Sequence, residues 1–215
     1  MFLLPCALTQ FEACDVASHR AIEATCDAVV GLLRDNYPDE LEEPPLQFAV
    51  FTKSEFAAGL GAGVSLFLYR VYLDGTERAP DGRVLVGGRR QFPHLPLQLQ
   101  FMLTAWAPDA SLQQYLAGWM MRVIEDHPVL PAGLLNRRYD DDSPVFWPDE
   151  TVELSAAAME TEDLFHLWDL IGPETYQLSV PYQARGIKVE SGRLLDEQSV
   201  VQERSQRYRV IGRAR

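Results

Sequence analysis

Apolar residues recur along the chain at two spacings, every third or fourth residue and every second. The switches between them divide it into helices and strands. Ile22, Cys26, Val29, Val30 and Leu33 form one helical stripe, with Ser18 placed to cap the helix and Pro38 to end it. Leu112, Tyr115, Leu116, Trp119, Val123 and Ile124 form a second over Ser111–His127, stopped by Pro128, and Val129–Leu135 adds a short helical turn. A third helix runs from Thr161, its expected cap, to Ile171, with Leu164, Leu167, Trp168 and Ile171 inward and Gly172-Pro173 ending it.

Period-two segments fall between these helices. Gln47–Thr52 and Thr151–Ala156 read as short strands. Val64–Leu73 is apolar on both sides, with Val64, Leu66 and Leu68 on one face and Phe67, Tyr69 and Val71 on the other, as a strand covered on two sides would be. Leu95–Ala107 alternates as a half-covered antiparallel strand: Leu97, Leu99, Phe101 and Leu103 face one way, Gln98, Gln100 and Thr104 the other. Thr175–Glu190 is a long last strand whose phase slips at Gly186, which predicts a bulge. Pro181 cannot donate to a ladder, so the strand there is an edge, a bulge, or unpaired on one side.

Three stretches read as loops. Lys53–Gly63 is glycine-rich and reads as a flexible turn. Asp74–Arg90 holds four glycines and one proline, with Val84–Val86 its only strand-like part, and long loops of this kind are often binding elements. Asn136–Pro148 is polar and acidic. The pattern is that of one α/β domain over residues 1–191, followed by an arginine-rich tail over 192–215.

Composition narrows the function. The 215 residues are 47% hydrophobic, enough for one core without staples, and carry a net charge of −12. A broad basic face for nucleic acid is therefore excluded. Six tail arginines against Asp196, Glu197 and Glu203 give the tail +3, so the preceding residues carry −15. Cys6, Cys14 and Cys26 lack disulfide-framework or zinc spacing and read as reduced thiols of a cytoplasmic protein. The apolar start, Met1–Leu8, lacks the basic region of a signal peptide, and no apolar run approaches the ~18 residues that span a bilayer.

A search for chemistry finds no nucleophile elbow, phosphate loop or His-Glu-x-x-His motif. Gly59-Leu60-Gly61-Ala62-Gly63 lacks the spacing of a dinucleotide loop. His127 falls at a helix C-terminus, where it reads as a cap, and His166 beside an apolar stripe, where it reads as a hydrogen-bonded boundary residue. Asp140–Asp142 lacks the glycine and glutamate of a calcium loop and reads as a solvated acidic segment. The expectation is a protein with no catalytic, cofactor or metal site. Trp147, in Val-Phe-Trp-Pro within the polar loop, is the tryptophan placed to serve as an interface anchor.

Five segments, in order, carry a resemblance. They are Val64–Tyr72, Leu97–Ala107, Glu125–Leu130 (Glu-Asp-His-Pro-Val-Leu), Leu164–Ile171 (Leu-Phe-His-Leu-Trp-Asp-Leu-Ile) and Tyr176–Tyr182. Together they resemble the N-terminal domain of the tail-terminator or cap family of extracellular contractile injection systems, over about residues 15 to 191. Val84–Arg90 and the residues before 15 have no counterpart in it. The resemblance implies a mixed, mainly antiparallel sheet flanked by helices. It also implies a non-enzymatic homohexameric ring that sits on the last ring of the tube protein, ends tube growth and anchors the sheath. Assembly would be cytoplasmic, with the protein leaving only as part of the particle and touching neither nucleic acid nor membrane directly. Within that frame Arg89 and Arg90 are expected to contact the tube. The edge at Pro181 is expected at a contact, and Arg204, Arg207, Arg209 and Arg213 on an acidic surface of a neighbouring subunit or the sheath. A baseplate or tube-initiating adaptor, and a small hydrolase with an unrecognised site, are the alternatives.

Overall fold

A computed structural model describes residues 19–37, 45–76, 84, 88, 90–139, 144–172, 175–191 and, for backbone, 194–195. Its elements run in the order α1 (Ala21–Asp35), β1 (Gln47–Phe51), a 3-10 helix (Lys53–Ala57), β2 (Gly63–Leu73), β3 (Arg90–Gln91), β4 (Leu95–Trp106), α2 (Ala110–Asp126), β5 (Val129–Pro131), α3 (Ala132–Leu135), β6 (Thr151–Ala156), α4 (Thr161–Ile171), β7 (Ser179–Val189) and β8 (Leu194–Leu195). Six strands form one sheet in the order β1-β2-β4-β7-β6-β5, and β3 pairs with β8 in a separate ribbon. Among the described strands, β1 and β2 alone run parallel and every other pair is antiparallel.

Two apolar layers cover the sheet. On the front, Val29, Leu33, Leu116, Met120 and Ile124 of α1 and α2 pack on Val64, Leu66, Leu99, Phe101, Leu103 and Tyr182. On the back, Phe51, Phe56, Met102, Trp106 and Trp168 form a second cluster, joined by Phe67, Tyr69, Leu164, Leu167 and Ile171. The second layer corrects two readings. Met102, Thr104 and Trp106 are buried, so β4 is half-covered only around Gln98 and Gln100. Lys53–Gly63 is not simply a flexible turn: its 3-10 helix carries a capping box between Thr52 and Glu55 and seats Phe56, which is 1% exposed.

The glycines of that segment have steric reasons. A Cβ on Gly63, at φ +142°, would lie 1.9 Å from the Gln47 carbonyl oxygen; on Gly59, at φ +63°, it would meet the Trp106 ring at 2.6 Å. The parallel β1–β2 pair therefore closes over a crossover that tolerates no side chain at these points.

Three more details differ from the periodic pattern. A register shift between Leu68 and Arg70 moves Val71 to the front face, where it is exposed. Tyr115 is exposed and Met120 takes the buried place on α2. The α2 cap is Asp109, whose carboxylate accepts from the Leu112 N–H, and α4 begins after Glu160 without a side-chain cap from Thr161. Ser18, Pro38, Asp140–Asp142 and Pro173 lie outside the described residues.

Candidate assembly interface

The residues singled out in the sequence separate in the fold. Pro181 is not on an edge strand: β7 lies between β4 and β6, with Pro181 opposite Met102. Its ring nitrogen is tolerated because it faces the side where β6 ends. The last β6 register pair is Ala156 with Tyr182, and the Pro181 carbonyl accepts from the Ala157 N–H at 3.0 Å. A residue's N and O point the same way from a strand, so the one bond Pro181 cannot give is that to the Ala157 carbonyl, just past the last β6 pair. The Gly186 bulge is present, with φ +83° and a register shift against Leu97–Leu99.

Trp147 is half-buried. Its backbone N–H donates to Glu150 Oε2 at 2.9 Å, and neighbouring Val145 and Phe146 donate their N–H groups to Asn136 Oδ1 at 2.8 and 2.9 Å. Asn136 Nδ2 returns a bond to the Phe146 carbonyl at 2.8 Å. One amide thus pins the loop, with Phe146 1% exposed in the front core.

Arg90 is exposed on β3, opposite Leu195 of β8, and Val84 bridges to it. The fold therefore joins the end of the long loop to the start of the tail, a pairing that two-residue strands do not announce in sequence. This ribbon adjoins the sheet end where exposed Leu73, Phe92 and Leu95 lie. Arg89, Arg204, Arg207, Arg209 and Arg213 lie outside the described residues.

Ionisable groups are arranged for structure. His127 is the C-cap of α2, with Nδ1 3.0 Å from the Val123 carbonyl oxygen. His166 is exposed on α4 rather than a hydrogen-bonded boundary residue. Burial pushes the Cys26 thiol up to about 12, helped by neighbouring Asp27, so it is an inert core group. Burial likewise raises the Tyr69 and Tyr182 phenols to about 12. Arg137 pairs with Asp35 and Arg138 with Asp27, tying α3 to α1. Among the described residues, no three His, Cys, Asp or Glu are grouped to hold a metal. An open cleft between the 3-10 helix and the end of α4 is lined by Thr52, Lys53, Ser54, Ala57, Ile171, Gly172 and Thr175, without an acid–base pair. No described helix is long and apolar enough to cross a membrane.

A model of the Pvc16 N-terminal domain family matches residues 24–203. The chain belongs to this family. Two solved structures are similar to this chain in fold. One is the sheath/tube terminator of an extracellular contractile injection system, PVC, in its extended state. It has a TM-score of 0.55 and 17% identity, with 89% of this chain and 64% of that one covered. The other is the anti-feeding prophage tube-terminating cap, with a TM-score of 0.54 and 15% identity, 85% of this chain and 59% of that one being covered. The chain spans about three fifths of the length of these solved chains. Comparison with curated proteins gave no match. The α/β fold, with its mainly antiparallel sheet flanked by helices, is as the resemblance implied.

Proposed function

We propose that the protein is a non-enzymatic cap, or tail terminator, of a contractile injection system. It forms a homohexameric ring on the distal end of the inner tube, stops tube growth and anchors the end of the sheath. The observation that carries this is membership of the Pvc16 N-terminal domain family over 24–203, joined to a fold shared with two tube-terminating proteins. Assembly takes place in the cytoplasm, and the protein leaves the cell only within the particle.

The tube contact lies at the ribbon end, through Arg89 and Arg90, and the tail of residues 192–215 reaches an adjacent subunit or the sheath. Electron microscopy of particles carrying a labelled chain tests the reading. Label is expected at the baseplate-distal tip, and charge reversal at Arg89 and Arg90 is expected to give uncapped or overlong tubes. Label at the baseplate would instead make the protein an adaptor and overturn the proposal.

A further inference from the structure

Helix α4 leaves its outer side uncovered. Trp168 is buried in the back cluster, with Leu164, Leu167 and Ile171 packed beside it. Phe165 and Leu170, on other sides of the helix, are 51% and 70% exposed. Tyr176 is also exposed, its ring 6.0 Å from that of Phe165. At about 100° per residue, Phe165 and Leu170 fall on opposite flanks of a stripe made by Glu162, His166 and Asp169. Glu160 and Asp163 extend the negative charge over the first turn, and no Lys or Arg lies between Ala157 and Gly172. Glu160, Glu162, Asp163 and Asp169 have no ion-pair partner among the described residues. A face that is both apolar and acidic asks for a partner that is apolar and basic.

The same chain contains such a segment. Arg204–Arg213 reads Arg-Ser-Gln-Arg-Tyr-Arg-Val-Ile-Gly-Arg, with four arginines, Tyr208, Val210 and Ile211, and no carboxylate. Guanidinium groups pair with carboxylates through two bonds at once and stack on aromatic rings. We propose that Arg204–Arg213 of one subunit docks on the outer face of α4 of a neighbouring copy. Arg207 and Arg209 meet Glu162 and Asp169, and Tyr208, Val210 and Ile211 cover Phe165 and Tyr176. Each subunit then gives one segment and receives one, a head-to-tail contact whose rotation closes as a ring. The inference rests on the ring reading and names the surface that joins its subunits.

Two full-length charge-reversal variants test it by sedimentation velocity at low and high salt. The donor variant is Arg207→Glu with Arg209→Glu, and the receptor variant is Glu162→Arg with Asp169→Arg. The wild type is expected to self-associate in a salt-dependent way, and each variant alone to associate about tenfold more weakly or worse. A 1:1 mixture is expected to regain association, because each variant tail then finds a complementary α4 on the other. The chain carrying all four changes should regain it too. Circular dichroism melts control for folding, since the altered α4 positions are exposed. Wild type that stays monomeric at millimolar concentration, or variants that associate normally, overturn the proposal. Rescue in the four-change chain but not in the mixture places the tail on its own helix and overturns the contact between copies. The cap reading is judged separately, by where label appears on the particle.

Discussion

Replacing Phe56 by alanine tests whether the aromatic cluster holds the back layer. Phe56 is 1% exposed and its ring lies 5.4 Å from Phe51, 5.3 Å from Phe67, 5.9 Å from Trp106 and 5.5 Å from Trp168. Three of these contacts are edge-on, at 82°, 85° and 89°, the arrangement favoured by ring quadrupoles. Truncating a core Phe to Ala costs about 3–5 kcal/mol, and ring pairs add about 0.5–1.5 kcal/mol each beyond area burial. Losing four at once puts the expected cost near the upper end, about 4–5 kcal/mol. A domain of this size has about 5–15 kcal/mol in total, so the variant should fold marginally. Phe56→Leu, which retains much of the volume, should cost about 1–2 kcal/mol. Urea unfolding followed by fluorescence is a suitable assay because Trp106 and Trp168 border the site. Hydrogen exchange supplies the spatial readout. The α4 and 3-10 helix amides should speed up well before those of α1 and α2, which pack on the other face. A loss below about 1 kcal/mol, or exchange that rises equally in both layers, would refute the reasoning. Val71→Ala, at an exposed position on the front, is the control, with an expected change within about 0.5 kcal/mol.

Other changes probe single contacts. Gly63→Ala drives a Cβ into the Gln47 carbonyl and should cost more than about 3 kcal/mol or abolish soluble expression, whereas Gly61→Ala meets nothing within 4 Å and should be near neutral. Asn136→Ala leaves the Val145 and Phe146 N–H groups and the Phe146 carbonyl without their partner, an expected loss of about 2–4 kcal/mol in urea unfolding; Asn136→Asp, which retains the acceptor, should cost less. Stability should fall as pH rises past 9. The folded chain retains the Cys26 proton to about 12 while the unfolded chain releases it near 9.0, and the Tyr182 phenol adds the same sign between 10 and about 12. Cys26→Ala should flatten the first part of that decline; urea midpoints with an unchanged slope from pH 8 to 10.5 would show that the thiol contributes nothing.

The elements were legible because their periods are long and their punctuation is strong. The strand at Gly63–Leu73 and the helix at Ala110–Asp126 follow from apolar spacing, and the bulge from the phase slip at Gly186. What escaped notice depends on contacts distant in sequence. The seating of Phe56 requires Trp168, 112 positions away, and the front-face placement of Val71 requires a register shift that alternation does not mark. The candidate site was legible only in part. Arg90 was identified, but its pairing with the tail rests on two-residue strands with no periodicity of their own. The exposed apolar residues of α4, Phe165 and Leu170, lie off its inward stripe, and periodicity alone does not mark them as a surface.

Proline at the sheet edge is where the expectation and the fold come together. Pro181, expected at an edge, at a bulge or unpaired on one side, lies in an interior strand just past the last β6 pair, while β5, the true edge on that side, is three residues long and ends in Pro131. The opposite edge is β1. Its Gln47 N–H points inward to the Ala62 carbonyl, so the Phe48 carbonyl points out, and the Arg34 guanidinium donates to it at 3.1 Å. A short proline-ended strand and an edge carbonyl engaged by a charged side chain are two standard ways to prevent another strand from adding on. If the protein is the proposed cap, this suits it, because an open strand edge is itself a template for growth. With both edges of the six-stranded sheet blunted, the two contact surfaces proposed above are the ribbon end, where β3 pairs with β8, and the outer face of α4. On the proposed reading, a tube contact at the first and a subunit contact at the second would divide the two tasks of a cap between two separate surfaces.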